Sequence, residues 1–143
     1  MYIPNPYFQN ISDIGNLTLD YIFIDDGYPI LFTCINADSK KMYLCICRTL
    51  QSQQKWVISE ITIQTLEKLI KKEICIKEAF YSVPNGKSCI ITWSKDNPES
   101  HSVFTTSLLN EKEVPDSDVF LEDEYAEIYL EQVRGNCFQG GDV

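Results

Sequence analysis

His101 is the only imidazole in this chain of 143 residues, so schemes that need two histidines, as ligands or as catalysts, are excluded. Glycine and proline number six each and lie scattered at turns and near the C-terminus. Neither a Gly-x-Gly-x-x-Gly fingerprint nor a Walker loop can be drawn from them, which removes the common phosphate-cradling motifs. No apolar run approaches the roughly 18 residues of a membrane span. Met1-Tyr2-Ile3-Pro4-Asn5-Pro6 has neither the basic nor the apolar part of an export leader. These absences predict a soluble, cytoplasmic protein. Basic charge is scarce as well, 12 Lys and Arg against 21 Asp and Glu, the reverse of a nucleic-acid binder's footprint. Direct DNA or RNA binding is not expected.

What is present is enough for one core. A hydrophobic fraction of 44% with 12% aromatics marks a globular chain, and its length suits a single domain. Order is expected over residues 17–134, with 1–16 as an N-terminal extension and 135–143 as a flexible tail. The charge is concentrated. Between Glu111 and Glu131 nine acidic residues face one base, Lys112, so this stretch carries −8 of the formal −9. A local excess of one sign suits a partner of the other.

The first half reads as strands. Tyr21-Ile22-Phe23-Ile24 runs into the turn signal Asp25-Asp26-Gly27, and Pro29 opens a second apolar run through Ile35. Lys41 to Arg48 is apolar at nearly every position, as a strand covered on both sides would be. Lys55 to Ile61 alternates and predicts strand four of a meander. Thr62 then offers a capping oxygen, and Ile63, Leu66, Leu69 and Ile70 recur at helical spacing, predicting a helix over 63–72 with a shorter turn of helix around Ile76, Ala79 and Phe80. Two further strands are expected at Ser88 to Ser94 and Ser102 to Leu108. From Leu121 the residues Tyr125, Ile128, Tyr129 and Val133 trace an amphipathic helix, with Glu122, Asp123 and Glu124 in its first turn and Gly135 as its C-cap. The fold class this predicts is α+β, a mainly antiparallel sheet of about five or six strands with one central helix and an acidic C-terminal helix.

The run from Asp25 to Phe80 resembles a family of small, uncharacterised bacterial α+β domains. The likeness rests on Asp26, Pro29-Ile30-Leu31-Phe32, Cys34, Tyr43-Leu44, Lys55-Trp56, the Ile61 to Leu69 helix and Ile76-Lys77-Glu78-Ala79-Phe80. It covers about 56 residues. It implies a fold class and a bacterial or phage-like origin, and it assigns no functional residue.

Candidate chemistry is thin. Cys34, Cys45, Cys47, Cys75, Cys89 and Cys137 lie mostly in apolar runs and read as free thiols of a reducing compartment. None sits in an evident Gly-rich or helix-start context that would activate it. Cys45 and Cys47 share one strand face, but no second close pair completes a zinc site. Asp25-Asp26-Gly27 and Asp116-Ser117-Asp118 bring carboxylates together without continuing into a calcium loop. No catalytic residue, cofactor or metal is therefore expected. The acidic helix is the candidate site, with Glu122, Asp123, Glu124, Glu127 and Glu131 steering a basic partner and Tyr125 and Tyr129 anchoring it. The function expected is a non-enzymatic inhibitor of the immunity, antitoxin or anti-defence type, covering a basic site such as that of a nuclease or another nucleic-acid-handling protein. The alternative is a structural or accessory subunit that self-assembles.

Overall fold

A computed structural model describes residues 7–50, 53–94, 96 and 99–141, with the side chains of 50 and 136–141 left aside. A Gln-rich loop expected over Leu50 to Gln54 is reduced by the strand ends at Leu50 and Gln53 to residues 51–52, which lie outside the described residues, as do 1–6 of the expected N-terminal extension, 95, 97–98, and 142–143 of the expected tail. Seven strands pair in chain order, each antiparallel to the next: β1 (Phe8–Ile11), β2 (Gly15–Asp25), β3 (Pro29–Ile35), β4 (Met42–Leu50), β5 (Gln53–Ile61), β6 (Lys87–Ser94) and β7 (Ser100–Thr105). Helices α1 (Ile63–Ile70) and α2 (Ile76–Tyr81) separate β5 from β6, and α3 (Ala126–Gly141) closes the described chain. Among the described residues, no helix is long and apolar enough to cross a membrane.

The α+β class with five or six strands is corrected by this arrangement, a mainly antiparallel seven-stranded sheet rolled into a nearly closed barrel and dressed with three short helices. The extra strand comes from Phe8–Ile11, inside the stretch expected to be an extension. Its alternation is only four residues long, yet Phe8 and Ile11 are both buried and Phe8 pairs with Leu17. The curl comes from irregular pairing. Register shifts interrupt β1–β2 once and β2–β3 three times, and such bulges bend and twist a sheet.

Curling gives the sheet an inside and an outside, both apolar. The Phe8 ring on β1 meets Phe32 on β3 at 6.4 Å and Trp56 on β5 at 5.7 Å, contacts that strands so far apart in the sheet make only across a barrel interior. Phe32, Cys34, Tyr43, Cys45, Ile58, Cys89 and Ile91 fill that interior. The outer face presents Leu31, Leu44, Ile46, Val57 and Ile61, covered by Leu66 and Leu69 of α1, Ala79 and Phe80 of α2, and Leu130 of α3. Strands buried on both faces explain the unbroken apolar reading of β3 and β4.

Local chemistry sets the ends of these elements. The Thr62 hydroxyl caps α1 by accepting from Thr65 N. Gly27, at φ +80°, completes the β2–β3 turn, and its N–H donates to Asp25. Gly15, at φ +93°, lies where a Cβ would come within 2.9 Å of Asn36 Nδ2, the atom that donates to Ile14 O. Asn36 in turn accepts from the N–H groups of Asp38 and Ser39, so one side chain ties the β1–β2 turn to the β3–β4 turn.

Candidate protein-binding surface

Residues 106–125 leave β7 and cross the outer face as a strap. Buried Leu109, Val114 and Leu121 hold it to the core. At its start the Thr106 hydroxyl ends a buried chain through Ser88 to Ser59, with both links at 2.9 Å. Further ties follow along its length. Tyr81 Oη donates to Leu109 O, Arg48 donates to Lys112 O at 2.7 Å, and Ile76 N donates to Val119 O at 3.0 Å. The strap contains two 3-10 turns, Thr106–Leu108 (expected as the end of a strand) and Glu111–Glu113, and each of these bonds satisfies a strap carbonyl from outside the strap.

The strap also consumes much of the acidity. Glu111 pairs with Lys77 at 3.5 Å, Glu113 with Lys55 at 2.8 Å and Glu122 with Lys72 at 3.2 Å. Glu131 on α3 pairs with Arg134 at 3.2 Å, and Arg134 reaches across to Glu67 of α1, which also holds Lys71 at 2.8 Å. The Arg134 and Lys71 donors beside Glu67 hold its carboxyl well below the usual carboxylate range, at about 2. Four of the nine carboxylates thus have cationic partners on the same molecule. Glu124 and Glu127 have no ion pair within 4 Å among the described residues.

The predicted helix is shorter at its start and longer at its end. It begins at Ala126, so Glu122, Asp123 and Glu124 belong to the approach and not to a first turn. Asp123 organises that approach: Oδ1 accepts from Tyr125 N at 2.9 Å, Oδ2 accepts from Tyr21 Oη at 3.1 Å, and its carbonyl accepts from Ala126 N. Gly135 is not a C-cap, because the helix runs through it to Gly141 and it has no positive φ.

The two tyrosines expected to anchor a partner part company. Tyr129 is 5% exposed. Its ring stacks on Tyr21 at 4.3 Å, and its hydroxyl donates to Asp20 Oδ2 at 2.6 Å and accepts from Thr33 at 2.8 Å. Burial and the Asp20 carboxylate push its pKa well above the ordinary tyrosine value. Tyr129 therefore docks α3 on its own barrel and offers nothing to a partner. Tyr125, by contrast, is 63% exposed, and Ile128, one turn on, is 62% exposed. Glu131 and Gln132 follow Ile128 at helical spacings of three and four, Glu124 precedes it in the turn that enters the helix, and all are exposed. Exposed Glu127 lies beside them. The structure thus brings together Glu124, Tyr125, Glu127, Ile128 and Glu131, keeps Glu122 and Asp123 at the edge of the patch, and removes Tyr129 from it.

Ile128 takes the place that sequence reasoning gave to Tyr129. Leu121 and Tyr125 precede the helix, and of the apolar residues on it Tyr129, Leu130 and Val133 pack on the barrel while Ile128 faces out. The spacing predicts an amphipathic helix, but not its orientation on the barrel.

No cluster of three or more His, Cys, Asp or Glu among the described residues is placed to hold a metal. Cys34, Cys45, Cys47 and Cys89 lie buried in the barrel, where burial pushes the Cys45 and Cys47 thiols up and Cys89 up to about 11. Cys75 corrects the reading that no cysteine marks a helix start, since its sulfur caps α2 by accepting from Glu78 N at 3.4 Å. It too is buried. His101 Nε2 lies 2.7 Å from Glu99 on the exposed strand β7.

No protein-family model, curated protein or solved structure matches this chain.

Proposed function

We propose that this protein is a non-enzymatic, protein-binding inhibitor of the immunity, antitoxin or anti-defence type, which lays the outer face of α3 over a basic site on another protein. One observation carries the reading. Tyr125 and Ile128 remain more than 60% exposed in the middle of the carboxylate field, although α3 already has Ala126, Tyr129 and Leu130 to pack on its own barrel. Carboxylates facing water need no such companions. Apolar residues ringed by charge are the composition of an interface centre and its rim. Glu124 and Glu127 supply the unpaired charge that steers a basic partner, while Tyr125 and Ile128 supply the contact that holds it.

Association should therefore be fast at low ionic strength and should slow as salt is added, with dissociation changing less. Glu124→Lys with Glu127→Lys is expected to lower the association rate at least tenfold, which stopped-flow or surface-capture kinetics with the isolated partner would measure. An unchanged rate would overturn the steering role. Glu131 is best left intact, because Arg134 binds it and Glu67 together.

One observation favours the alternative, a self-assembling accessory subunit. β1 has a register shift and a positive φ at Asn10, features that blunt an edge, whereas β7 pairs with β6 in unbroken register and its strand contains no Lys, Arg, Pro or carboxylate. Sedimentation separates the readings. A stable homo-oligomer that survives substitution of Tyr125 and Ile128 would support assembly through that edge.

A further inference from the structure

A second surface, independent of α3, has the opposite charge. Between the end of β4 and the strap lies an open cleft of about 660 Å³, lined by Tyr28, Arg48, Thr49, Lys112, Val114 and Asp116 among others. Its cations lack the partners that their neighbours have. The two glutamates flanking Lys112 turn away to other lysines, Glu111 to Lys77 and Glu113 to Lys55. Lys112 Nζ makes no ion pair or hydrogen bond among the described residues, and Arg48 has no carboxylate partner there. Arg48 is nevertheless fixed. One Nη donates to Lys112 O at 2.7 Å, which orients the guanidinium and leaves its other N–H donors unspent. Tyr28 Oη and Thr49 Oγ1 are hydrogen-bonded to each other at 3.0 Å on the same wall, which leaves the pair one hydroxyl proton to donate. In a chain of net charge −9, two cations left without carboxylates in one cleft, against the single acid Asp116, is an arrangement that solubility does not require.

We propose that this cleft binds a small organic anion, a phosphate or carboxylate carried on an apolar body. Arg48 and Lys112 meet the anionic group, the guanidinium by its fork and the ammonium as a point charge. The hydrogen-bonded Tyr28–Thr49 pair donates its one free hydroxyl proton to a remaining oxygen, and the apolar body lies against Ile30 and the Tyr28 ring. The volume is within the range of small-ligand sites. The anion would bridge β4 to the strap, so binding should also raise thermal stability.

The test is an amide NMR titration of the intact protein with phenyl phosphate, benzoate and inorganic phosphate in turn. Saturable shifts of the Thr49 and Lys112 amides with either aromatic anion are expected, stronger than with inorganic phosphate. The stronger of the two aromatic anions identifies the group recognised. Lys112→Gln should weaken the binding about tenfold, and Arg48→Gln at least as much. Lys40→Gln, on the turn at the opposite end of β4, should leave it unchanged. Lys112 is the decisive position because its ammonium makes no bond whose loss could loosen the strap. No saturable shift with either aromatic anion would overturn the proposal, as would binding that Lys112→Gln leaves intact.

Discussion

Tyr129 and Ile128 are adjacent in sequence and opposite in role, and the difference is measurable one residue at a time. Tyr129→Phe keeps the ring on Tyr21 but leaves the fully buried Thr33 hydroxyl without its partner and removes the donor to Asp20. A loss of about 1–3 kcal/mol in unfolding free energy is expected, read from urea denaturation. A loss near zero would show that the hydroxyl network does not hold α3. Ile128 buries little in the free protein, so truncating it should leave stability nearly unchanged. The sequence placed both residues in one amphipathic helical pattern. It could not show which of them faces out, because Asp20 and Thr33, which select Tyr129, lie about a hundred residues away in the chain.

At the scale of elements, α3 is joined to α1 by Glu67, which takes Arg134 from one helix and Lys71 from its own. Its carboxyl is depressed from the ordinary 4.5 to about 2, so the native state favours the ionised form. The stabilisation this provides is fully present above pH 4.5 and is lost as pH falls through about 2. Glu67→Gln should therefore be less stable than the wild type at neutral pH, and the difference should close between pH 4.5 and 2. Urea midpoints of both proteins across that range would measure it, and a gap that stays constant would contradict the assignment. Where α1 begins was legible, since Thr62 is a capping residue next to a helical pattern. Where α3 begins was not. Leu121 continues the helical spacing by chance while packing as part of the strap, and Asp123 ends the strap through bonds to Tyr21 and the Tyr125 and Ala126 amides.

At the scale of the molecule, the sequence carried the meander from β2 to β7, with the last strand expected at Ser102 to Leu108 and found at Ser100–Thr105, and missed its closure. β3 and β4 announce themselves by their length and unbroken apolar character, but β1 is four residues, too short for periodicity to register. Its burial depends on Trp56, which lies four strands away in the sheet. Phe8→Ala should consequently cost about 3 kcal/mol or more, as for a buried aromatic, whereas a loose extension would tolerate it. Thermal or urea unfolding distinguishes the two. The strap and α3 then cover the outside of the barrel and pair four of the nine carboxylates of the acidic stretch, and of those left without an ion pair among the described residues Glu124 and Glu127 stand beside Tyr125 and Ile128.

That group is tested most directly by comparing capture from source-cell extract on three baits: wild type, Tyr125→Ala with Ile128→Ala, and Tyr129→Phe, each first shown to be folded by circular dichroism. The account predicts that one basic protein is retained by the wild type at low salt, is retained equally by Tyr129→Phe, and is lost from the Tyr125 and Ile128 double variant. Retention of that protein by the double variant at wild-type levels, or no basic protein retained by the wild type, would contradict the claim that the outer face of α3 is the interface.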